Sequence, residues 1–201
     1  ASEFAINSIP SGYSTANIQI GETLSVKDLL YALMLQSANE SAVILAEHVS
    51  GSQEAFADLM NKKAKEIGCE NSHFVNPNGI HNNDHYTTAH DLALISNYAM
   101  KNSTFRDIVK TTSFTLPATS AYPSATRTYI NTNNLLIYDN RNRPDNYYYE
   151  YATGIKTGYT TEAKNCLVSS ATKNGMNFIT VVLGSSITYG NTGTISHRYV
   201  D

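Results

Sequence analysis

A chain of 201 residues with 41% apolar content can bury one sizeable core or two small ones. Its net charge of −3 and 15% charged residues exclude a strongly basic nucleic-acid surface and a strong steering field. No stretch approaches the ~18 apolar residues of a membrane span; solubility rests on Asn, Ser, Thr and fourteen Tyr, with no Trp, which hints at an extracytoplasmic protein handling polar ligands.

Residues 1–24 are polar and turn-rich, with "IPSGYS" as a loop and "ANIQIG" as a short strand. Ser25 and Asp28 form a capping box that opens a helix near 26–35, with Leu29, Leu30, Leu33 and Met34 on its buried face. A second helix near 40–50 turns Ala42, Val43, Leu45, Ala46 and Val49 inward. Between the two stand Gln36, Ser37, Asn39, Glu40 and Ser41, polar residues where the period demands core. Ser52 caps a third helix near 52–67, along Phe56, Leu59, Met60, Lys63 and Ile67, with Gly68 as its C′ residue. "NSHFVNPNGIHNNDHY" is a long Asn-, Gly- and His-rich loop. Thr88 and Asp91 open a helix near 88–101 through Leu92, Leu94, Ile95 and Met100, and a short helix follows at "TFRDIV".

From Lys110 onward Thr, Val, Ile, Tyr and Phe predominate, which suits strands, and "TKNGMN" is a strong hairpin signal. "YYYEY" at 147–151 reads as a strand edge or loop. Helices first and antiparallel strands second make an α+β layout. Cys69 and Cys166 fit no metal pattern; two buried free thiols is the plainer reading, and a disulfide between them stays open.

Two stretches do not fit a purely structural role. Ser37 and Asn39 interrupt a helix, and short polar side chains favour such breaks. In "TGIKTGYT", residues 153–160, a strand would point Lys156 and Gly158 to one face and Thr157 to the other. Lys beside a hydroxyl suits a carboxylate or phosphate; a solvent-facing edge strand with one protective Lys would explain those three letters as well.

Taken together, Ser37-Ala38-Asn39 and Lys156-Thr157-Gly158 resemble two of the three motifs of the penicillin-recognising serine enzymes. The words around them, "LLYALMLQSANESAVILAEHVSGSQEAFADLMNKKAKEIG", "HFVNPNGIHNNDHYTTAHDLALI" and "ATGIKTGYTTEAKNCLVSSA", extend the resemblance over nearly the whole chain. They are similar to the low-molecular-mass penicillin-binding proteins, the serine-type D-alanyl-D-alanine carboxypeptidases of the peptidase S11 group. The resemblance implies an α+β fold of the DD-peptidase/β-lactamase-like kind, an antiparallel sheet packed against helices, in a single catalytic domain over 1–201 that is incomplete at both ends. It implies that Ser37 joins a proton relay with two lysines and that Asn39 binds the substrate's peptide carbonyl. Lys156 would place positive charge near Ser37 and the substrate carboxylate, and Thr157 would hydrogen-bond that carboxylate. Gly158 would let the strand pair with the substrate backbone, and the N–H of Tyr159 would be an oxyanion donor. Arg198 falls where the family often places a carboxylate-binding Arg; a surface Arg is the alternative. Ser37, Asn39 and Lys156 are expected to converge in one cleft.

The implied activity is removal of the terminal D-Ala from peptidoglycan pentapeptides through a serine acyl-enzyme, with β-lactams as inhibitors and no cofactor, metal or nucleic acid. Cell-wall work implies an extracytoplasmic place in a bacterium, with any membrane association coming through a segment outside this chain. A β-lactamase, a D,D-endopeptidase or a non-catalytic peptidoglycan-binding scaffold are the rival readings. The family's nucleophile motif, Ser-x-x-Lys, is not found ahead of Ser37; the one literal match, Ser170 to Lys173, sits where a strand would turn the two side chains to opposite faces. Neither end of the chain reads as a natural terminus, so an excerpt of a longer protein, inactive alone, is expected. His81, Asp84, His85 and His90 carry a metal-like spacing on a loop without a third fixed ligand, which favours a structural role. Glu40 reads as a rim residue or a helix N-terminal charge, with a general-base role as the alternative.

Overall fold

The computed structural model describes residues 1–139, 146–190 and 193–199. The chain divides into two compact units, each assembled from three separate stretches. Ala1–Lys63, His73–His85 and Thr111–Asn131 make the first; Ala64–Ser72, Tyr86–Lys110 and Thr132–Asp201 make the second.

The first unit carries α1 (Glu3–Asn7), α2 (Val26–Gln36), α3 (Asn39–Ser50), most of α4 (Gln53–Glu66), and a hairpin of β1 (Ser113–Leu116) and β2 (Arg127–Ile130). Ser25 caps α2 as its capping box predicts, accepting the Asp28 N–H at 3.1 Å. The buried face of α2 is Leu29, Ala32 and Leu35; Leu30, Leu33 and Met34 lie half-buried at its margin. Tyr31 on α2 stacks on Phe114 of β1 with ring centroids 4.0 Å apart. On α3, Ala42, Val43, Leu45 and Ala46 are core as expected, whereas Val49 is 61% exposed.

Two expectations fail at the start of the chain. Residues 3–7 form a helix, because Ser2 caps it by accepting the Ala5 N–H at 2.9 Å; one and a half turns are too few to show a periodic stripe. "ANIQIG" is not a strand: Ala16 and Ile18 are buried, but their N–H groups go to the Glu40 carboxylate, at 2.6 and 3.4 Å, and Asn17 adopts φ +55°. A side chain took the ladder hydrogen bonds that a partner strand would have used.

The second unit carries α5 (Ala89–Ala99), α6 (Ser103–Lys110) and an antiparallel meander of β3 (Ala152–Thr160), β4 (Lys164–Lys173) and β5 (Met176–Ser185), in the order β3-β4-β5. β6 (Ile187–Gly190) pairs antiparallel with β7 (Gly193–Ser196), and short 3-10 turns lie at Asn134–Leu136 and His197–Tyr199. The Asn-Gly turn is where its sequence places it: Asn174 and Gly175 take φ +52° and +76° between β4 and β5. Gly68 ends α4 at φ +92°, and Cys69 N–H returns to Ala64 O at 2.9 Å, as a C′ glycine allows. Thr88 caps α5, while the Asp91 carboxylate is buried and accepts from Asn71 N–H and the Ser72 hydroxyl at 2.8 and 2.7 Å. The Ser72 hydroxyl is the chief reason its carboxyl is held below the ordinary aspartate range.

α6 packs on β3 and α5 on β5. At Gly154 the two elements leave no room for a side chain: a Cβ there would stand 2.7 Å from Val109 Cγ2. The Tyr run at 147–149 is loop, followed by a turn, and both cysteines are free thiols.

Candidate active-site motifs

The helix break at 36–39 is built by the backbone of Ser37 itself. Ser37 ends α2 at φ +60° and ψ +38°, a left-handed cap usually left to glycine, and α3 restarts at Asn39. A non-glycine residue held there is the kind of local strain that surrounding contacts must fix. Asn39 supplies one: its backbone N–H and its Nδ2 both donate to Ser14 O, at 3.1 and 2.9 Å. Glu40 supplies the next through the Ala16 and Ile18 bonds described above. It is 2% exposed, so it is not a rim residue; it stands in the first turn of α3, the helix N-terminal position expected of it. Burial raises its carboxyl pKa, against the pull of the Ala16 N–H. Its Oε2, and the Oγ of the adjacent Ser41, are buried with no hydrogen-bond partner among the described residues. The resemblance implies cleft-facing roles for Ser37 and Asn39 alone; in the structure Gln36, Ser37 and Asn39 are half-buried, and Glu40 and Ser41 are buried.

The second motif lies in the other unit, on β3. The register Lys156↔Val168, Thr157↔Leu167 and Gly158↔Cys166 puts Lys156 and Gly158 on one face and Thr157 on the opposite one. β3 is the edge of its three-stranded sheet. Lys156 Nζ donates to Thr157 O at 2.9 Å, and its pKa is pushed down to about 8, chiefly by burial and then by the positive charge of Arg198. Arg198 is half-buried. Its Nε is shut from solvent without a partner among the described residues, and its guanidinium lies 5.0 Å from the Tyr199 ring centroid. Both cations belong to the second unit, and the charge of Arg198 disfavours that of Lys156. Thr157 Oγ1 lies 2.7 Å from Thr132 Oγ1, a neighbour no sequence pattern singles out. Tyr159, paired with Asn165 next to the β3–β4 turn, is 65% exposed.

The literal Ser-x-x-Lys match is structural, as its strand position predicts. Ser170 is buried opposite Gly154, with its Oγ 2.8 Å from Thr153 Oγ1; Lys173 Nζ sits 4.3 Å from the Tyr151 ring centroid. In the His-rich loop, Val75 N–H donates to His85 Nδ1 at 3.2 Å, and Phe74 meets the His85 ring edge-on. Among the described residues no three His, Cys, Asp or Glu side chains are grouped to hold a metal ion, and no helix is long and apolar enough to cross a membrane.

Comparison with known proteins gives this pair of motifs its context. The chain belongs to the D-alanyl-D-alanine carboxypeptidase family, peptidase S11, whose model matches residues 2–187. It is 37% identical over 175 residues to the D-alanyl-D-alanine carboxypeptidase DacF of Bacillus subtilis, covering 87% of this chain and 42% of that protein. It is 40% identical over 181 residues to a D-alanyl-D-alanine carboxypeptidase of Streptomyces sp. K15, covering 86% of this chain and 59% of that protein. The chain therefore spans about half the length of these curated relatives. The crystal structure of the Streptomyces K15 DD-transpeptidase matches with a TM-score of 0.75 at 36% identity, over 90% of this chain and 66% of that one. The α+β fold of the DD-peptidases is thus the fold of this chain.

Proposed function

We propose that the protein hydrolyses the terminal D-Ala-D-Ala bond of peptidoglycan pentapeptides through a serine acyl-enzyme, outside the cytoplasm, and that β-lactams inhibit it. The observation that carries this reading is the sheet-edge strand β3, on which the Thr157 hydroxyl follows a buried Lys156 that feels the positive charge of Arg198. An extended peptide ending in a carboxylate matches that chemistry: its backbone adds to the strand edge and its charge meets the two cations. At an effective dielectric of 20, one such charge pair at 4 Å is worth ~4 kcal/mol before desolvation is subtracted. Ser37 and Asn39 would serve the same peptide, the hydroxyl in proton transfer and the amide at the peptide carbonyl, and the Tyr159 N–H would stabilise the oxyanion. Formation of the acyl-enzyme requires a Ser-x-x-Lys pair that these residues do not supply; a serine attacks the penultimate D-Ala carbonyl, the terminal D-Ala leaves, and water releases the acyl group.

The test is D-Ala release from a pentapeptide by the intact protein. Lys156→Ala should lower kcat/KM by roughly 10²-fold or more, at ~1.4 kcal/mol per factor of ten. Lys156→Arg should recover only part, since a planar guanidinium replaces a point charge. If Lys156→Ala stays fully active, the assignment is wrong. A second reading draws on the D-alanyl-D-alanine endopeptidase of Escherichia coli, 33% identical over 84% of this chain and 50% of that protein. Cleavage of cross-linked muropeptides in preference to pentapeptides would favour it, nitrocefin turnover would favour a β-lactamase, and binding without any turnover would favour a scaffold.

A further inference from the structure

Beside the cation pair, the second unit holds a chain of aromatic and hydroxyl contacts that leads into β3. Tyr199 OH donates to Thr132 O and accepts from Asn134 N–H, both at 3.2 Å. The Tyr199 ring stacks on Tyr147 with centroids 4.6 Å apart, and Tyr147 OH accepts the Ser196 N–H at 2.8 Å. The 132–134 turn is thereby tied to the 196–199 turn that carries Arg198. From the same turn, Thr132 Oγ1 reaches Thr157 Oγ1 at 2.7 Å.

We propose that Thr132 and Tyr199 are positioning residues for carboxylate recognition: Thr132 fixes the proton direction of the Thr157 hydroxyl, and Tyr199 holds the turn bearing Thr132 to the turn bearing Arg198. The hydroxyl chemistry decides the direction. A hydroxyl has one proton and two acceptor positions. When Thr157 donates to a carboxylate, its oxygen is left as the acceptor for Thr132, so Thr132 O–H donates to Thr157 and the Thr157 proton points to the ligand. Such a donor is already oriented before binding, and a charge-assisted bond made from it needs no reorientation. Tyr199 acts on the second arm. Its phenol bridges Thr132 O and Asn134 N–H, and its ring lies under the Arg198 guanidinium. The Tyr147 ring and its bond to Ser196 brace Tyr199 from behind.

This inference rests on the carboxylate reading of the Lys156–Arg198 pair, so the experiment measures both. Affinity of the chain for N-acetyl-D-Ala-D-Ala is compared with that for its C-terminal amide by NMR titration, alongside the melting temperature of each variant. Wild type should prefer the acid by tenfold or more. Thr132→Val should lose most of that preference while still binding the amide at near wild-type affinity, and Thr132→Ser, which keeps the donor, should retain the preference within about twofold. Tyr199→Phe, which keeps the ring stack and loses both hydroxyl bonds, should reduce the preference several-fold at near-normal melting temperature. A purely structural role would weaken acid and amide equally. An unchanged acid-to-amide ratio in Thr132→Val and Tyr199→Phe overturns the positioning role alone; equal binding of acid and amide by wild type overturns the carboxylate reading and the inference with it.

Discussion

Lys156 carries a charge that its surroundings disfavour. Its folded pKa of about 8 lies below the ordinary 10.5. Between those two values the unfolded chain binds a proton that the folded chain lacks, so this residue makes stability rise with pH from about 8 to 10.5. Below pH 8 the side chain is charged in both states and the burial penalty is complete. Lys156→Met should therefore raise the melting temperature at pH 7, by the equivalent of up to ~3 kcal/mol, with the gain fading toward pH 10.5. A melt that shows no gain at pH 7 would place Lys156 in better-solvated surroundings than the structure gives it. Glu40 has the opposite sign. Its raised pKa means the folded state holds a proton longer, so its contribution is largest near pH 4.5 and declines as pH rises. Glu40→Ala strands the Ala16 and Ile18 N–H groups and should cost ~1–3 kcal/mol. The loss should be greater at pH 4.5 than at pH 7.5. The two short motifs taken together singled out Lys156, but nothing in the sequence signalled Glu40's anchoring role, because that depends on a segment more than twenty positions away.

Among the elements, capping chemistry was the most legible. Ser25, Thr88 and the Gly68 stop all act where local sequence puts them, since each needs only partners within a few residues. The Asn174–Gly175 turn is legible for the same reason. Helix faces were less so: α2 buries Ala32 and Leu35, and Val49 of α3 faces solvent, because the burying partner is set by tertiary packing. β3 carries the sharpest packing constraint. Gly154→Ala would drive a Cβ to 2.7 Å from Val109 Cγ2 at φ +151°, and should destabilise by about 1–3 kcal/mol. Val109→Ala opens the space that Cβ needs, so the double variant should lose clearly less than the two single losses combined, in denaturant melts. Strict additivity would show that β3 and α6 do not meet there.

At the scale of the whole chain, family membership and motif content make a joint statement about activity. The family matches across residues 2–187, yet the lone Ser-x-x-Lys is a buried Ser170 on β4 with its Lys173 over a tyrosine ring. A fluorescent penicillin should therefore leave this 201-residue chain unlabelled after denaturing electrophoresis. A covalent adduct on any of its residues, Ser170 included, would overturn that. In the intact protein Lys173→Ala should release D-Ala at close to the wild-type rate, since Lys173 only decorates the Tyr151 ring.

The sequence by itself determined the starts of α2, α4 and α5, the Asn-Gly hairpin, the α+β order and, through two short motifs, the family. All of these depend on residues close together in the chain, where propensity and hydrogen-bonding geometry act directly. The helix break at Ser37 also announced itself, as polarity where a stripe should run. Only the tertiary structure decided what the polar island does: Ser37 takes the left-handed cap, Asn39 and Glu40 hold the 14–18 segment, and Glu40 and Ser41 go inside. It alone brought Thr132 beside Thr157, over a separation of 25 positions, and it set Arg198 where its charge lowers the Lys156 pKa. Charge proximity and desolvation are properties of three-dimensional neighbours, and no period or motif in the chain encodes which neighbours those are.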